Sequence, residues 1–528
     1  MGRSSLQSAV LRATASFVAI YLCATSASAE GIKMNMLERF DSGVRGEERA
    51  LSIGDYDPKT KRLFVPCADK TIWVIDIADL AEVNVVKRPE LGKFGLGATS
   101  VSVRNGIVAV SVLPDNKQDR GYAMFMNTEG TLLKVVQVGA LPNRIRLTPD
   151  GKKAVVACEG EPSADYERDP LGTIHVIDLA DGLLKAKGVE LDFSECNRQK
   201  RNGVRVSGKG AALIRDLEPK SVTISSDGKT AWVSLQENNA MAILDLTVPA
   251  ITRLVGLGHK DHSRNGNGLD ASDQDGKINI HTWPVRGLYM PDAVEAYTAS
   301  DGKTYIVTAN EGESRRCGNN RKKPKWTDTT RVSNLKLDPK VFPNAEELQD
   351  PANLGRLNIL STEGDTDQDG DYDELYVPGT RSFAIWTAEG TRIWDSGDQF
   401  ARRTAKHAPK FFNTHAGKGG FDDRSDDRGC EPENVVVGEC YGRQIAFISL
   451  ESFGGVMAYD VTDPRQPVFR DFFINRNFKG SYKKGNAQDV SPEGLIFIPS
   501  KDSPTKKPLL CVIHEMSGTI QFLDIEKQ

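Results

Sequence analysis

Two sets of carboxylates recur at matching places along this chain of 528 residues. Asn143, Glu218, Asp292, Glu433 and Glu493 each stand just before an apolar run. Asp69, Glu159, Glu237, Glu311, Glu451 and Glu515 each stand just after the following one. Carboxylates gathered at one point raise each other's pKa values unless a cation intervenes. Their hard oxygens select Ca²⁺, with Mg²⁺ as the alternative, over zinc. A blander account has acidic residues accepting free backbone N–H groups in turns. That accounts for acidity in one or two copies, and less well for acidity at two equivalent positions in four copies. Glu218, Asp292, Glu311, Glu433, Glu493 and Glu515 are therefore the candidate metal ligands.

A second oxygen-rich pattern is Asp365-Thr-Asp367-Gln-Asp369-Gly370-Asp371-Tyr-Asp373-Glu374. Side chains two apart in a tight loop converge, and Gly370 permits a sharp turn, so all five aspartates are expected around Ca²⁺. Tyr376 stands where an EF-hand would have its last Glu. Asp270-Ala-Ser-Asp273-Gln-Asp275-Gly276 is a poorer copy, with Ala271 in a ligand position, and reads as a plain solvated acidic turn. Among the histidines, only His514 adjoins the recurring carboxylates, which makes it the candidate acid/base; the catalytic residues are otherwise unassigned. No Gly-x-Ser-x-Gly elbow, P-loop or dinucleotide glycine motif is present. Arg144, Arg315, Arg316, Arg424 and Arg428 fall in the same loops, where arginine beside cations suits a phosphate ester.

These residues must be positioned by a recurring unit. Leu217–Asp245 contains an apolar run, an Asp227-Gly228 turn, a second run, the acidic Glu237 turn and a third run. Asp-Gly between apolar runs is a strong hairpin signal. A fourth, outer strand follows at 251–255. Copies recur from 141, 290, 431 and 491, with weaker ones around Leu63–Asp69 and Ile107–Ser111. The chain is thus expected to be all-β: a β-propeller of about seven four-stranded blades, with eight also compatible. The last copy has only three strands, so residues 32–40 are expected to complete it and close the ring. Insertions near 190–216, 256–289, 312–355 and 400–430 all fall on one face, over the channel, where long loops carry function.

Residues 1–29 have the marks of a signal peptide: Arg3 and Arg12, an apolar stretch around Phe17–Cys23, and Ala27-Ser-Ala29. The stretch is short for a membrane span. The product is then exported, periplasmic or extracellular, with 30–528 forming a single propeller domain. No second apolar span follows, so no membrane span is expected after cleavage. Losing Arg3 and Arg12 makes the net charge of −4 two units more negative, which argues against a nucleic-acid partner. Seven cysteines remain; Cys67, Cys158 and Cys511 sit in predicted strands, while Cys196, Cys317 and Cys430, in loops, are the expected disulfide formers.

Glu237-Asn-Asn-Ala240, Leu269–Gly276, Thr308-Ala-Asn-Glu-Gly312, Asp371–Leu375, Phe383-Ala-Ile-Trp386, Asp395-Ser-Gly-Asp398 and Arg424–Glu433 resemble the choice-of-anchor I family of exported propellers, which includes mesenchyme-specific cell-surface glycoproteins. The resemblance runs from about residue 50 to the C-terminus. Some members carry alkaline phosphatase labels, and the propeller is similar to phytase-like esterases. The resemblance therefore implies a metal-dependent phosphoric ester hydrolase acting on phosphate esters, or else a non-catalytic adhesion propeller that binds a surface ligand. A monomer is expected in either case.

Overall fold

The computed structural model describes residues 31–46, 49–198, 203–208, 210–317, 325–417 and 419–528. The signal peptide expected over 1–29 lies outside the described residues. The hairpin turns form as their residue types require. In blade four, Asp227 Oδ1 accepts from Ser225 Oγ at 2.6 Å and from the Lys229 amide at 3.0 Å. Gly228, at φ +72°, takes the left-handed position that glycine tolerates best. Blade three repeats the device with Thr148, Asp150 and Gly151.

Seven four-stranded antiparallel sheets result among the described residues. Their innermost strands, in ring order, are Asp55–Asp57, Gly97–Arg104, Pro142–Leu147, Val222–Ile224, Ala293–Thr298, Pro432–Cys440 and Pro492–Ile498. Each begins one blade, numbered one to seven. The strands alternate apolar residues to both faces, so an apolar layer lies between each neighbouring pair of blades. Between three and four, for example, Val155 and Ile174 pack with Val222, Val233 and Leu244. Corresponding layers join one to two, two to three, four to five, five to six and six to seven. The layer of Leu63, Val65 and Trp73 with Ile496, Leu509 and Ile513 joins seven back to one.

Ring closure follows the expected route. The N-terminal strand Ile32–Asp41 pairs antiparallel with Thr519–Lys527, from Ile32 opposite Lys527 to Asp41 opposite Thr519. It is the outermost strand of blade seven.

Regularity breaks around blade five. Its second strand, Thr304–Asn310, and third, Ser382–Thr387, are joined by a segment that runs to Arg381 rather than ending near 355. The strand Tyr376–Pro378 of that segment pairs parallel with Arg286–Leu288 of the connection from blade four. Leu269, Trp283 and Val285 share an apolar core with Val332, Phe342, Leu357 and Leu375. Buried Arg205, from the blade three to four connection, reaches Asp328 at 2.7 Å. The connection from blade five to six, with its helix Gln399–His407, joins through Asp426, which Arg331 and Arg356 contact at 2.7 and 3.3 Å. These long loops form one asymmetric lobe.

All seven cysteines beyond Cys23 are buried and free, contrary to the disulfides expected at Cys196, Cys317 and Cys430. Cys196 and Cys430 pack in the inter-blade layers like their counterparts on strands. Cys317 lies against the carbonyls of Ser163 and Ala164. Loop position in the sequence did not mean solvent exposure.

Candidate functional site

The innermost strands of blades three, five, six and seven are entered through the same strained step. Leu141, Met290, Glu431 and Ser491 have φ of +51°, +42°, +55° and +62°, and each precedes a proline. A left-handed conformation costs an L-residue roughly 1–2 kcal/mol. The residue after each proline, Asn143, Asp292, Glu433 or Glu493, lines the central funnel. Counting from the proline also corrects the register of blade four. In Glu218-Pro219-Lys220 it is Lys220 that takes the equivalent place and lines the funnel. Glu218 lines an adjoining cleft instead. Lys220 could have been found from the recurring proline alone.

The second set of carboxylates divides likewise. Glu311, Glu451 and Glu515 line the funnel, and Glu159 and Glu237 line the cleft. Asp69 turns away to Thr71 and Trp73. The funnel holds about 210 Å³ and the cleft about 700 Å³, with Arg49, Asn143, Lys220, Glu313 and Arg316 lining both.

Within the funnel, oxygens of Asp292, Glu311 and Glu433 lie within 4.8 Å of one another. Two carboxylates sharing one Ca²⁺ have oxygens no more than roughly 5 Å apart, so the three fit a single ion. Glu311, Glu431 and Glu451 form a second such group. Charge is unevenly balanced. Asp292 has Lys220 at 3.5 Å, Glu311 is held by Arg428 and the Gln236 amide, and Glu218 has Arg315 at 3.2 Å. Glu515 accepts from the Arg49 amide and Ser491 Oγ. Among the described residues Glu433 has no cationic partner, and its Oε2 is buried without a donor. Burial, then the charges of Asp292, Glu311, Glu493 and Glu451, holds its pKa well above the ordinary carboxylate value. Burial pushes Glu311 up to about 8 against the pull of Arg428. Glu493 also lines the funnel, and burial followed by the charge of Asp292 holds its pKa above the ordinary carboxylate value.

The predicted arginines separate into free and committed ones. Arg144 lines the funnel and has no ion pair among the described residues, and burial followed by neighbouring Arg146 lowers its pKa to about 10. Arg316, also in the wall, pairs with Glu313 at 2.8 Å. Arg315 is locked to Asp216 at 2.8 Å, Arg424 to Asp427 at 2.9 Å, and Arg428 to Glu311, Glu313 and Glu431. His514 does not line the funnel. The strand's alternation sends Glu515 inward, and His514 is buried towards Asp489, with burial lowering its pKa. It is therefore misplaced for the acid/base role.

The choice-of-anchor I domain model matches residues 52–464. This chain belongs to the choice-of-anchor I family. The match includes Asp292, Glu311, Glu433 and Glu451 and stops before Glu493 and Glu515. Over 314 residues the chain is 27% identical to "Mesenchyme-specific cell surface glycoprotein" of Strongylocentrotus purpuratus, covering 52% of this chain and 40% of that protein. It is 27% identical over 190 residues to "Gigasin-3a" of Magallana gigas, covering 34% and 66% respectively. The chain thus spans less than two thirds of either relative. Among solved structures, Kuenenia stuttgartiensis hydrazine synthase aligns with a TM-score of 0.45 and 12% identity, covering 91% of this chain and 97% of that one. The Cps50 (Swd1) β-propeller domain of Myceliophteria thermophila aligns with a TM-score of 0.46 and 8% identity, covering 93% and 99%. No described helix of this family member is long and apolar enough to cross a membrane.

The acidic loop of this choice-of-anchor I chain converges only in part. Asp365, Asp367 and Asp373 bring oxygens within 4.8 Å of one another, and Asp365 Oδ1 is buried without a donor. Asp369 instead accepts from the Asp371 amide at 3.1 Å, and Asp371 pairs with Lys336 at 3.0 Å. Asp369 therefore lies outside the converging groups, while Asp371 joins Asp338 and Asp373 in a second one. Replacing Asp365 and Asp367 with Asn should remove part of any Ca²⁺-induced rise in melting temperature, whereas Asp369→Asn should leave it unchanged. At a Ca²⁺ concentration 100 times Kd, a single site adds about 2.7 kcal/mol to stability. A wild-type melting curve indifferent to Ca²⁺ and EDTA would remove the basis for this site.

Proposed function

We propose that the funnel holds a divalent cation, Ca²⁺ or Mg²⁺, and that the protein is an exported, metal-dependent phosphoric ester hydrolase. The observation that carries this is Glu433. It is a buried carboxylate with no cationic partner among the described residues, within bridging distance of Asp292 and Glu311. A bound cation would neutralise phosphoryl oxygens and polarise the ester. Arg144 offers planar donors to a phosphate, and Lys220, whose ion pairs are long at 3.5 Å, offers an ammonium. Glu433 and Glu493, whose pKa values burial raises, are the groups that could give a leaving oxygen its proton. Arg3, Arg12 and the Ala27-Ser-Ala29 site support export, as does the cell-surface name of the sea urchin relative.

A second reading is a non-catalytic propeller that binds an anionic surface ligand. The pairing of Glu218, Asp292 and Glu311 with Arg315, Lys220 and Arg428 favours it, because a carboxylate already in an ion pair is less available to a metal. Metal analysis of the purified mature protein, followed by a panel of phosphomonoesters and phosphodiesters with and without EDTA, separates the two. The hydrolase should contain Ca²⁺ or Mg²⁺ and turn over at least one ester until EDTA is added. Bound metal without turnover of any ester would leave the binding propeller.

A further inference from the structure

We propose that Asp270, Asp275 and Asp422 form a buried divalent-cation site, suited to Ca²⁺, that fastens the blade four to five connection to the blade five to six connection. Each contributes an oxygen within 4.8 Å of the others, although Asp422 is far from the other two in sequence. The turn expected to be solvated is not. Asp270 and Asp422 are each 1% exposed, and Asp275 is half-buried.

Several bonds preset these side chains. Asp270 Oδ2 accepts from the Asn279 amide at 2.5 Å, Asp275 Oδ1 from the Lys277 amide at 3.1 Å, and Asp422 Oδ1 from Ser425 Oγ. What remains points to a ligand. Oδ2 of Asp422 and Oδ2 of Asp275 are both buried with no hydrogen-bond donor among the described residues. A buried carboxylate oxygen left unmet costs its full desolvation, so such oxygens are normally satisfied.

No Lys, Arg or His among the described residues forms an ion pair with any of the three. The two nearby arginines are already engaged. Arg381 donates to the carbonyls of Asp270, Ser425 and Asp427. Arg356 is spent on Asp273, at 2.9 and 3.1 Å, and on Asp426. Three carboxylates so close and so buried cannot all ionise without a counter-charge. A divalent ion supplies that charge and fills the open coordination directions of Asp275 and Asp422 together. An all-oxygen set selects Ca²⁺ or Mg²⁺ over zinc or copper. The site lies in the lobe rather than the funnel, so it is structural and separate from the proposed hydrolytic centre.

The test is Ca²⁺ stoichiometry, by equilibrium dialysis and elemental analysis, on the full mature chain and on its Asp422→Asn, Asp275→Asn and Glu433→Gln variants. Asp275→Asn is included because Asp275 is half-buried and the variant should fold even if Asp422→Asn does not. Asp422→Asn and Asp275→Asn should each lose one Ca²⁺ per chain and part of the Ca²⁺-induced rise in melting temperature. Glu433→Gln reports on the funnel alone: any Ca²⁺ it loses should add to the loss in Asp275→Asn when the two are combined, and its segments 262–285 and 408–430 should keep their Ca²⁺-dependent protease resistance. Under EDTA, protease should cleave the wild-type segments 262–285 and 408–430 faster than it does with Ca²⁺. Folded Asp275→Asn that keeps the wild-type Ca²⁺ count and melting shift overturns the proposal. So does a metal-free wild type already as protease-resistant as the Ca²⁺-loaded one.

Discussion

Deleting residues 31–41 should lower the melting temperature sharply and expose an aggregation-prone sheet edge. Ile32 and Met34 are 3% and 2% exposed and lie in the layer formed by Leu495, Leu510, Val512, Leu523 and Ile525 with blade six. Removing two such side chains forfeits about 3–6 kcal/mol of apolar burial. Arg39 Nε also reaches Asp489 at 2.8 Å, and the Asp489 side chain is only 1% exposed, so deletion removes the arginine from a buried carboxylate and leaves it the neutral donors Asn475, Thr519 and Gln521. Thr519–Lys527 would lose its hydrogen-bonded neighbour, and a bare edge recruits other chains. Calorimetry of the deleted and intact mature chains measures the loss. A synthetic peptide spanning 31–42 should restore stability when added, because it re-forms the missing strand. An unchanged melting temperature would show that the ring does not depend on this strand.

The propeller was legible because its cues are local. Asp150-Gly151, Asp227-Gly228 and Asp301-Gly302 each form a turn of the expected kind, with the glycine at positive φ. Closure by residues 32–40 was legible as a count, three strands where the other copies have four. The funnel was legible in outline, since Asp292, Glu311, Glu433, Glu493 and Glu515 all reach it. What failed was register and partnership. Glu218 was aligned by charge, whereas the backbone is aligned by proline, and the two differ by two residues in blade four. That slip hid Lys220, whose charge burial works against while Glu159, Asp292, Glu237 and Glu313 more than hold it. Glu218, Asp292 and Glu311 have cationic partners from distant segments, which the carboxylate pattern alone does not show.

Long-range partnership leaves no periodic trace. Nothing in the sequence links Asp422 to Asp270, or Arg205 to Asp328, because the loops carrying them meet only after the blades have brought their ends together. His514 shows the same limit on a smaller scale. Adjacent residues on a strand face opposite sides, so standing next to Glu515 in sequence places His514 away from the funnel. Asp369 and Asp371 fit the spacing of a calcium loop, but Asp369 only accepts from the Asp371 amide, and Asp371 meets Lys336 and the distant Asp338 rather than Asp365 and Asp367.

The Glu433→Gln, Glu493→Gln double variant should lose the funnel cation and reduce phosphoester hydrolysis to the uncatalysed background, while keeping the fold. Glutamine preserves shape, but its amide supplies neither the anionic oxygen a hard cation requires nor a titratable proton. The fold should tolerate the change because the carboxyls of Glu433 and Glu493 are both held above the ordinary range, first by burial and then by neighbouring acids. pH provides an independent check. A carboxyl whose pKa is raised on folding keeps a proton that the unfolded chain releases, so its stabilising effect is full below the unfolded value and fades as pH rises. The window opens at the ordinary value of 4.5 and extends through about 8, the position of Glu311. In EDTA, the wild-type melting temperature should therefore fall across that window, and the double variant's should fall less. Cations compete with these protons, so Ca²⁺ affinity of the wild type should rise over the same range and binding should release protons. Isothermal titration in two buffers of different ionisation enthalpy measures that release. A double variant with full Ca²⁺ content and full hydrolytic activity would refute the funnel as the metal centre, whatever chemistry the protein performs elsewhere.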